Sequence, residues 1–147
     1  MPTLWNADDR AALVARFAQL APADTPKWGT FTAPRMVAHV TDAVRAGLGE
    51  LPVKRIRTPF GFWPMNALVI NVLPWPKGAP TAPELMMRAP EAWDGELAAL
   101  KAAIDRFAAR EMHGAWAAHA AFGAIDGKLW GRLMYRHLDH HLTQFGR

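Results

Sequence analysis

Apolar residues recur at helical spacing in separate stretches of the chain, and polar residues fill the positions between them. The first such stretch follows Asn6, a residue type that caps helices, and stops at Pro22, which predicts a helix over residues 6–21. A second stretch follows Thr32 and ends in a glycine-rich turn, which predicts a helix over residues 33–48.

Two further amphipathic stretches lie in the second half of the chain. They predict a third helix over about residues 90–110, with Pro90 in its first turn, and a fourth that follows Asp126 and runs to about residue 145. Alanine, the strongest helix former, supplies 28 of the 147 residues. The pattern therefore predicts an all-α fold, a four-helix bundle that forms one domain over residues 1–147.

The segment between the second and third helices is rich in proline. Residues 51–90 hold 8 of the 12 prolines, which excludes a long helix or a central strand. A short helix from Pro64 to about residue 72 fits inside the segment. A loop this long in a small domain is usually functional or covers a site. We expect residues 51–83 to pack against the helices through Trp63 and Trp75.

The fourth helix carries two histidines one turn apart. At about 100° per residue, His137 and His141 share an arc with Trp130 and Met134, whereas His140 lies at the polar edge. Two histidines at this spacing on an inward face can bind one metal ion. Two core histidines satisfied by hydrogen bonds would show the same spacing, so the pair alone leaves both interpretations open.

A third ligand would have to come from elsewhere, because catalytic metal sites usually have three protein ligands. His39 lies at the border of the apolar face of the second helix and can face the same interior. His113 and His119 lie on the loop before the fourth helix. No phosphate-binding or nucleophile-elbow motif is present, and no pair of acids is placed together, so the sequence assigns no catalytic residue.

The amino-acid composition excludes several classes of functional site. The absence of cysteine excludes disulfides, thiolate metal sites and a cysteine nucleophile. The net charge of +4 is modest, and its one local cluster, residues 54–57, is interpreted as a solvated loop. No signal peptide or membrane-length apolar run is visible, so we expect a cytoplasmic protein without nucleic-acid or membrane partners.

Five segments carry a family resemblance: Trp28–Gly29, Met36–Val40, residues 73–85, His119–Gly123 and His137–Gln144. Together they resemble the DinB-like (YfiT-type) superfamily of metal-binding proteins, and within it an uncharacterised bacterial family. The resemblance covers essentially the whole chain, with one departure at Ala120, where relatives tend to carry proline.

The resemblance implies a bundle of up-down-down-up order, often a homodimer. It also implies that His39, His137 and His141 hold a divalent ion: zinc, nickel, iron or manganese. Relatives include transferases that use low-molecular-weight thiols such as bacillithiol or mycothiol, and a mycothiol-dependent isomerase.

Two functions follow as predictions. One is a metal-dependent thiol transferase or hydrolase that acts on a small molecule. The alternative is a metal-dependent small-molecule-binding or stress-response protein without turnover, which the lack of an acid or base favours. For either, Asp42 and Gln144 are candidates to orient the metal-binding histidines. His119 and Trp130 are candidates to line the adjacent pocket.

Overall fold

The structure, a computed structural model that describes all residues 1–147, is all-helical and contains no strand. The all-α prediction is therefore confirmed. A 3-10 turn, Pro83–Met86, was not predicted. The α-helices are α1 (Ala7–Ala18), α2 (Ala33–Gly47), α3 (Met65–Asn71), α4 (Trp93–Ala108) and α5 (Gly127–Gln144). None of them is both long and apolar enough to cross a bilayer.

Side-chain caps fix the starts of three helices where the sequence predicts them. Asn6 accepts hydrogen bonds from the backbone of the first turn of α1, Thr32 caps α2, and Asp126 caps α5 through the amide of Leu129 at 2.8 Å. The start of α4 differs from the prediction. Pro90 lies before the helix, because the next residue, Glu91, is held by a hydrogen bond from its amide to the buried Glu96 carboxylate at 2.7 Å.

The packing places α2 in the interior. α2 packs against α4, α5 and the 3-10 turn, and α1 packs against α4 and α5. Consequently α2 is covered on several sides, and 11 of its residues are buried, including the polar side chains of His39 and Asp42. The core residues from the four long helices include Leu13, Phe17, Met36, Val40, Val44, Leu100, Ile104, Phe107, Trp130, Met134 and Leu138.

The proline-rich segment packs against α5, but only one of the two tryptophans predicted to make this contact does so. Trp75 packs against the core, its indole donates to Val69 O at 3.2 Å, and Arg136 stacks on its ring. Trp63, by contrast, is 77% exposed, so its predicted packing is wrong. Asn66 and Ile70, one turn apart, are the buried residues of α3. Trp63 lies in the chain before α3 begins at Met65 and is not part of this buried face.

A glycine in α5 allows close contact with the N-terminal segment. A Cβ on Gly131 would collide with the Trp5 indole and lie 2.8 Å from Thr3 Oγ1. We expect Gly131→Ala to lower the free energy of unfolding by about 1–3 kcal/mol in urea denaturation, although alanine favours helices. Gly95→Ala in α4 is the matched control, because its nearest neighbour lies 3.8 Å away. Equal effects of the two substitutions would contradict this account.

Candidate metal centre

Three histidines from two helices converge in the interior. His39 on α2 meets His137 and His141 on α5, and their ligand nitrogens all lie within 4.8 Å of one another. His137 Nε2 is 3.1 Å from His39 Nε2 and 3.2 Å from His141 Nε2. The spacing of one helical turn on α5 sets two of these positions, and the packing of α2 against α5 supplies the third.

Hydrogen bonds fix the tautomers of two of the rings. His39 Nδ1 donates to the Leu85 carbonyl at 3.2 Å, since a carbonyl oxygen can only accept. His141 Nδ1 donates to Gln144 Oε1 at 2.8 Å. The Gln144 amide cannot be reversed, because its Nε2 donates to the Trp28 carbonyl at 2.8 Å. Both rings therefore direct an unprotonated Nε2 toward the centre of the group.

The donor set fits a divalent metal ion. Two nitrogens bound tetrahedrally to one ion at about 2.0–2.1 Å would lie about 3.3–3.4 Å apart, close to the spacings around His137 Nε2. Without a cation, one N–H of His137 would face two lone pairs and could satisfy only one of them well. The three histidines could thus hold an ion, and imidazole donors suit several first-row metals.

Burial keeps these rings neutral. It lowers the pKa of His39 below the usual 6.5 and lowers the pKa of His141 to about 3. Burial, and then the neighbouring imidazoles, hold the pKa of His137 well below its usual value. Because a metal ligand must offer a lone pair, neutral imidazoles suit metal binding at physiological pH.

The remaining histidines stay outside the group. His140 is half-buried with its ring 5.3 Å from that of His141, and His113 is exposed. His119 Nδ1 accepts from the amides of Ala121 and Phe122 at 3.1 and 3.2 Å, and burial lowers its pKa to about 4. His119 is therefore a neutral residue beside the site.

Asp42 does not orient His39 as predicted. Its carboxylate accepts hydrogen bonds from Arg45 at 3.1 Å and from Arg88 at 3.3 Å, whereas the Nδ1 atom of His39 faces the Leu85 carbonyl. Two guanidinium groups donate to the Asp42 carboxylate at the same time. The contact between Asp42 and His39 that the one-turn spacing suggested is therefore not formed. Gln144, the other candidate, does contact His141.

A cavity of about 370 Å³ borders the metal centre at His137. His137, Trp130 and Met134 of α5 line one side, and His119 and Leu85 contribute from the loops. Ten of its 14 lining residues are hydrophobic, and none carries a permanent charge, so the cavity suits an uncharged ligand. Another apolar groove, of about 240 Å³ between α1 and α4, contains none of the histidines.

Residues 7–147 match a family described as a protein of unknown function, DUF1569. The chain belongs to the DUF1569 family. Neither a curated protein nor a solved structure matches it.

Sequence reasoning missed two contacts to the histidines of this DUF1569 chain. One is the Leu85 carbonyl, and a backbone acceptor leaves no mark in the sequence. The other is Phe31, whose ring stacks on that of His39 with centroids 5.2 Å apart. Phe31 directly precedes the Thr32 cap of α2, and this position is the only signal that could have indicated it.

We expect Gln144→Ala to weaken metal affinity by about 10–100-fold, because the His141 tautomer loses its hydrogen-bond acceptor. Competition titration of zinc against a chromophoric chelator measures the change. Gln19→Ala, at an exposed position at the end of α1, is the matched control. Equal affinities of the two variants would contradict a role of Gln144 in orienting His141.

Proposed function

We propose that this DUF1569 protein is a DinB-like four-helix bundle that binds a divalent metal ion through His39, His137 and His141. The observation that carries the proposal is the convergence of three imidazole nitrogens, two of them with fixed tautomers, in a buried site. The packing of α1 and α2 against α4 and α5 supports the bundle, and the His39 and His137–Gln144 segments support the DinB-like type.

We further propose that the protein is a metal-dependent thiol transferase or hydrolase that acts on a small molecule at this site. When bound, a divalent ion with an open position lowers the pKa of a coordinated thiol or water. The chain's own contribution is a cavity that orients an uncharged, largely apolar electrophile beside His137 and excludes water through Trp130 and Met134. His119, neutral at this position, is the one ionisable lining residue besides His137.

A second candidate is a metal-dependent small-molecule-binding protein without turnover. The observation that favours it is the lining of the cavity, which holds no carboxylate or lysine to act as a general acid or base, while Nδ1 of its His119 already accepts two amide hydrogen bonds. Both candidates take a small molecule as the ligand and involve neither nucleic acid nor membrane.

Incubation with a low-molecular-weight thiol and monochlorobimane separates the two candidates. The metal-loaded protein is compared with metal-free protein at equal concentration, and the fluorescent adduct is followed with and without thiol. Adduct formation that requires both metal and thiol supports the transferase. Saturable quenching of tryptophan fluorescence without product supports the binding protein. The absence of both signals would contradict the thiol transferase and the binding protein.

The proposal includes a homodimer, which rests on the resemblance to DinB-like proteins. Light scattering at micromolar concentration tests it directly. A mass near twice the monomer value of 16.3 kDa is expected, and a monomer would contradict it.

A further inference from the structure

The turn that contacts His39 is only partly buried, and its Leu85 side chain packs against the core. Leu85, whose carbonyl accepts the Nδ1 proton of His39, lies in the 3-10 turn Pro83–Met86. This turn lies near the end of the proline-rich segment, residues 51–90, and it has no side-chain cap and no fully buried residue. Contacts from outside the turn add to this packing in keeping the Leu85 carbonyl within hydrogen-bond distance of His39.

Two arginines connect this turn to the helices. Arg35 lies on α2 one turn before His39, and its guanidinium donates to the carbonyl of Arg88 at 2.8 Å and to the carbonyl of Met86. Met86 is the last residue of the turn, and Arg88 follows it by two residues. Because Arg35 and His39 share one face of α2, the same helix holds both the turn and the ring that the turn contacts.

Arg88 makes the second connection, through two buried carboxylates. Its Nε lies 3.3 Å from both oxygens of Asp42 on α2, and its terminal nitrogens donate to Glu96 on α4 at 2.5 and 3.1 Å. Asp42 and Glu96 are only 3% and 1% exposed. Arg45 also contacts Asp42, so two cations balance two carboxylates.

We propose that Arg35 and Arg88 are positioning residues for the metal centre. They clamp the chain from Leu85 to Arg88 onto α2 and α4, so that the Leu85 carbonyl holds His39 as the Nδ1–H tautomer and leaves Nε2 free for the ion. The tautomer effect stands on the hydrogen bonds alone, whereas the effect on metal affinity rests on the proposed function. Partners of this kind commonly set ligand orientation in metal sites.

The first test reads the tautomer in the metal-free protein. Long-range ¹H–¹⁵N spectra of the full chain report which ring nitrogen of each histidine carries the proton. In Arg35→Gln, His39 should lose its fixed Nδ1–H signature and become a mixture of tautomers. His141, held by Gln144, should keep its signature in the same sample. A loss of ordered structure throughout the variant would instead change the tautomer signatures of both His39 and His141, and that result would contradict a specific effect of Arg35 on His39.

The second test measures affinity for cobalt(II) by its visible absorption. We expect Arg35→Gln and Arg88→Gln each to raise the dissociation constant by about 10-fold, the lower end for outer contacts of metal ligands. Arg132→Gln is the matched control, because Arg132 also donates to a backbone carbonyl at 2.8 Å, that of Pro2, away from the site. The control should stay within about twofold of wild type.

If Arg88→Gln does not fold, Arg35→Gln alone tests the inference. Arg35 makes no ion pair, so its replacement leaves no buried carboxylate unpaired. Unchanged His39 tautomer and unchanged cobalt affinity in folded Arg35→Gln would overturn the inference while leaving metal binding intact. Wild-type protein that binds no cobalt would overturn the proposed function instead. The tautomer measurement would then still decide whether the clamp holds His39.

Discussion

Alanine at position 39, 137 or 141 will reduce metal affinity by more than about 100-fold, so that the purified protein contains almost no metal. The reason is that each ring supplies one of only three nitrogens at the centre of the group, and loss of a contact to such a ligand already costs 10–100-fold. Elemental mass spectrometry on protein purified without an affinity tag measures metal per chain. Wild type should hold about one ion.

His140→Ala is the matched control for this experiment. Its ring lies next to that of His141 on the same helix but stays outside the converging group. We expect the control to retain wild-type metal content. Equal losses in His140→Ala and His141→Ala would indicate that binding reflects a histidine-rich surface, and an empty wild-type protein would reject the site altogether.

Arg88→Ala will lower the free energy of unfolding by about 3–5 kcal/mol at pH 7. The substitution leaves Asp42 and Glu96 buried without their shared cation, and breaking a buried ion pair from one side has a cost of this size. Urea denaturation followed by circular dichroism measures the loss. Arg106→Ala should cost no more than about 1 kcal/mol, because the Arg106–Glu50 pair is half exposed.

The effect of Arg88→Ala should also depend on pH. Burial acts to raise the pKa of Glu96, but hydrogen bonds from Arg88 and from the Glu91 amide outweigh it, so the pKa falls below the usual 4.5. A carboxyl group whose pKa is lower in the folded than in the unfolded state stabilises the folded state fully at pH values above the unfolded-state pKa. This stabilisation is lost as the pH falls through the lowered pKa of the folded state. The difference between Arg88→Ala and wild type should therefore shrink in acid, and a constant difference from pH 7 to 3 would contradict this account.

The sequence determined most of the helix boundaries and two of the three candidate ligands because these depend on local spacing. Caps at Asn6, Thr32 and Asp126 act on amides two or three residues away, so the starts of α1, α2 and α5 were predictable. The inward positions of His137 and His141 follow from the helical repeat alone. Gln144 lies three residues after His141 on the same helix, and so its contact was also within reach of the sequence.

Only the tertiary structure decided which groups meet across long stretches of chain. His39 binds the carbonyl of Leu85, 46 residues away, and Asp42 turns to Arg88 rather than to the histidine one turn before it. Trp63 and Trp75 belong to one aromatic-rich loop, yet only Trp75 packs against the core, where Arg136 of α5 lies over its ring. A residue's spacing determines which helical face it occupies, but the partner on the other side of that face depends on how distant segments pack.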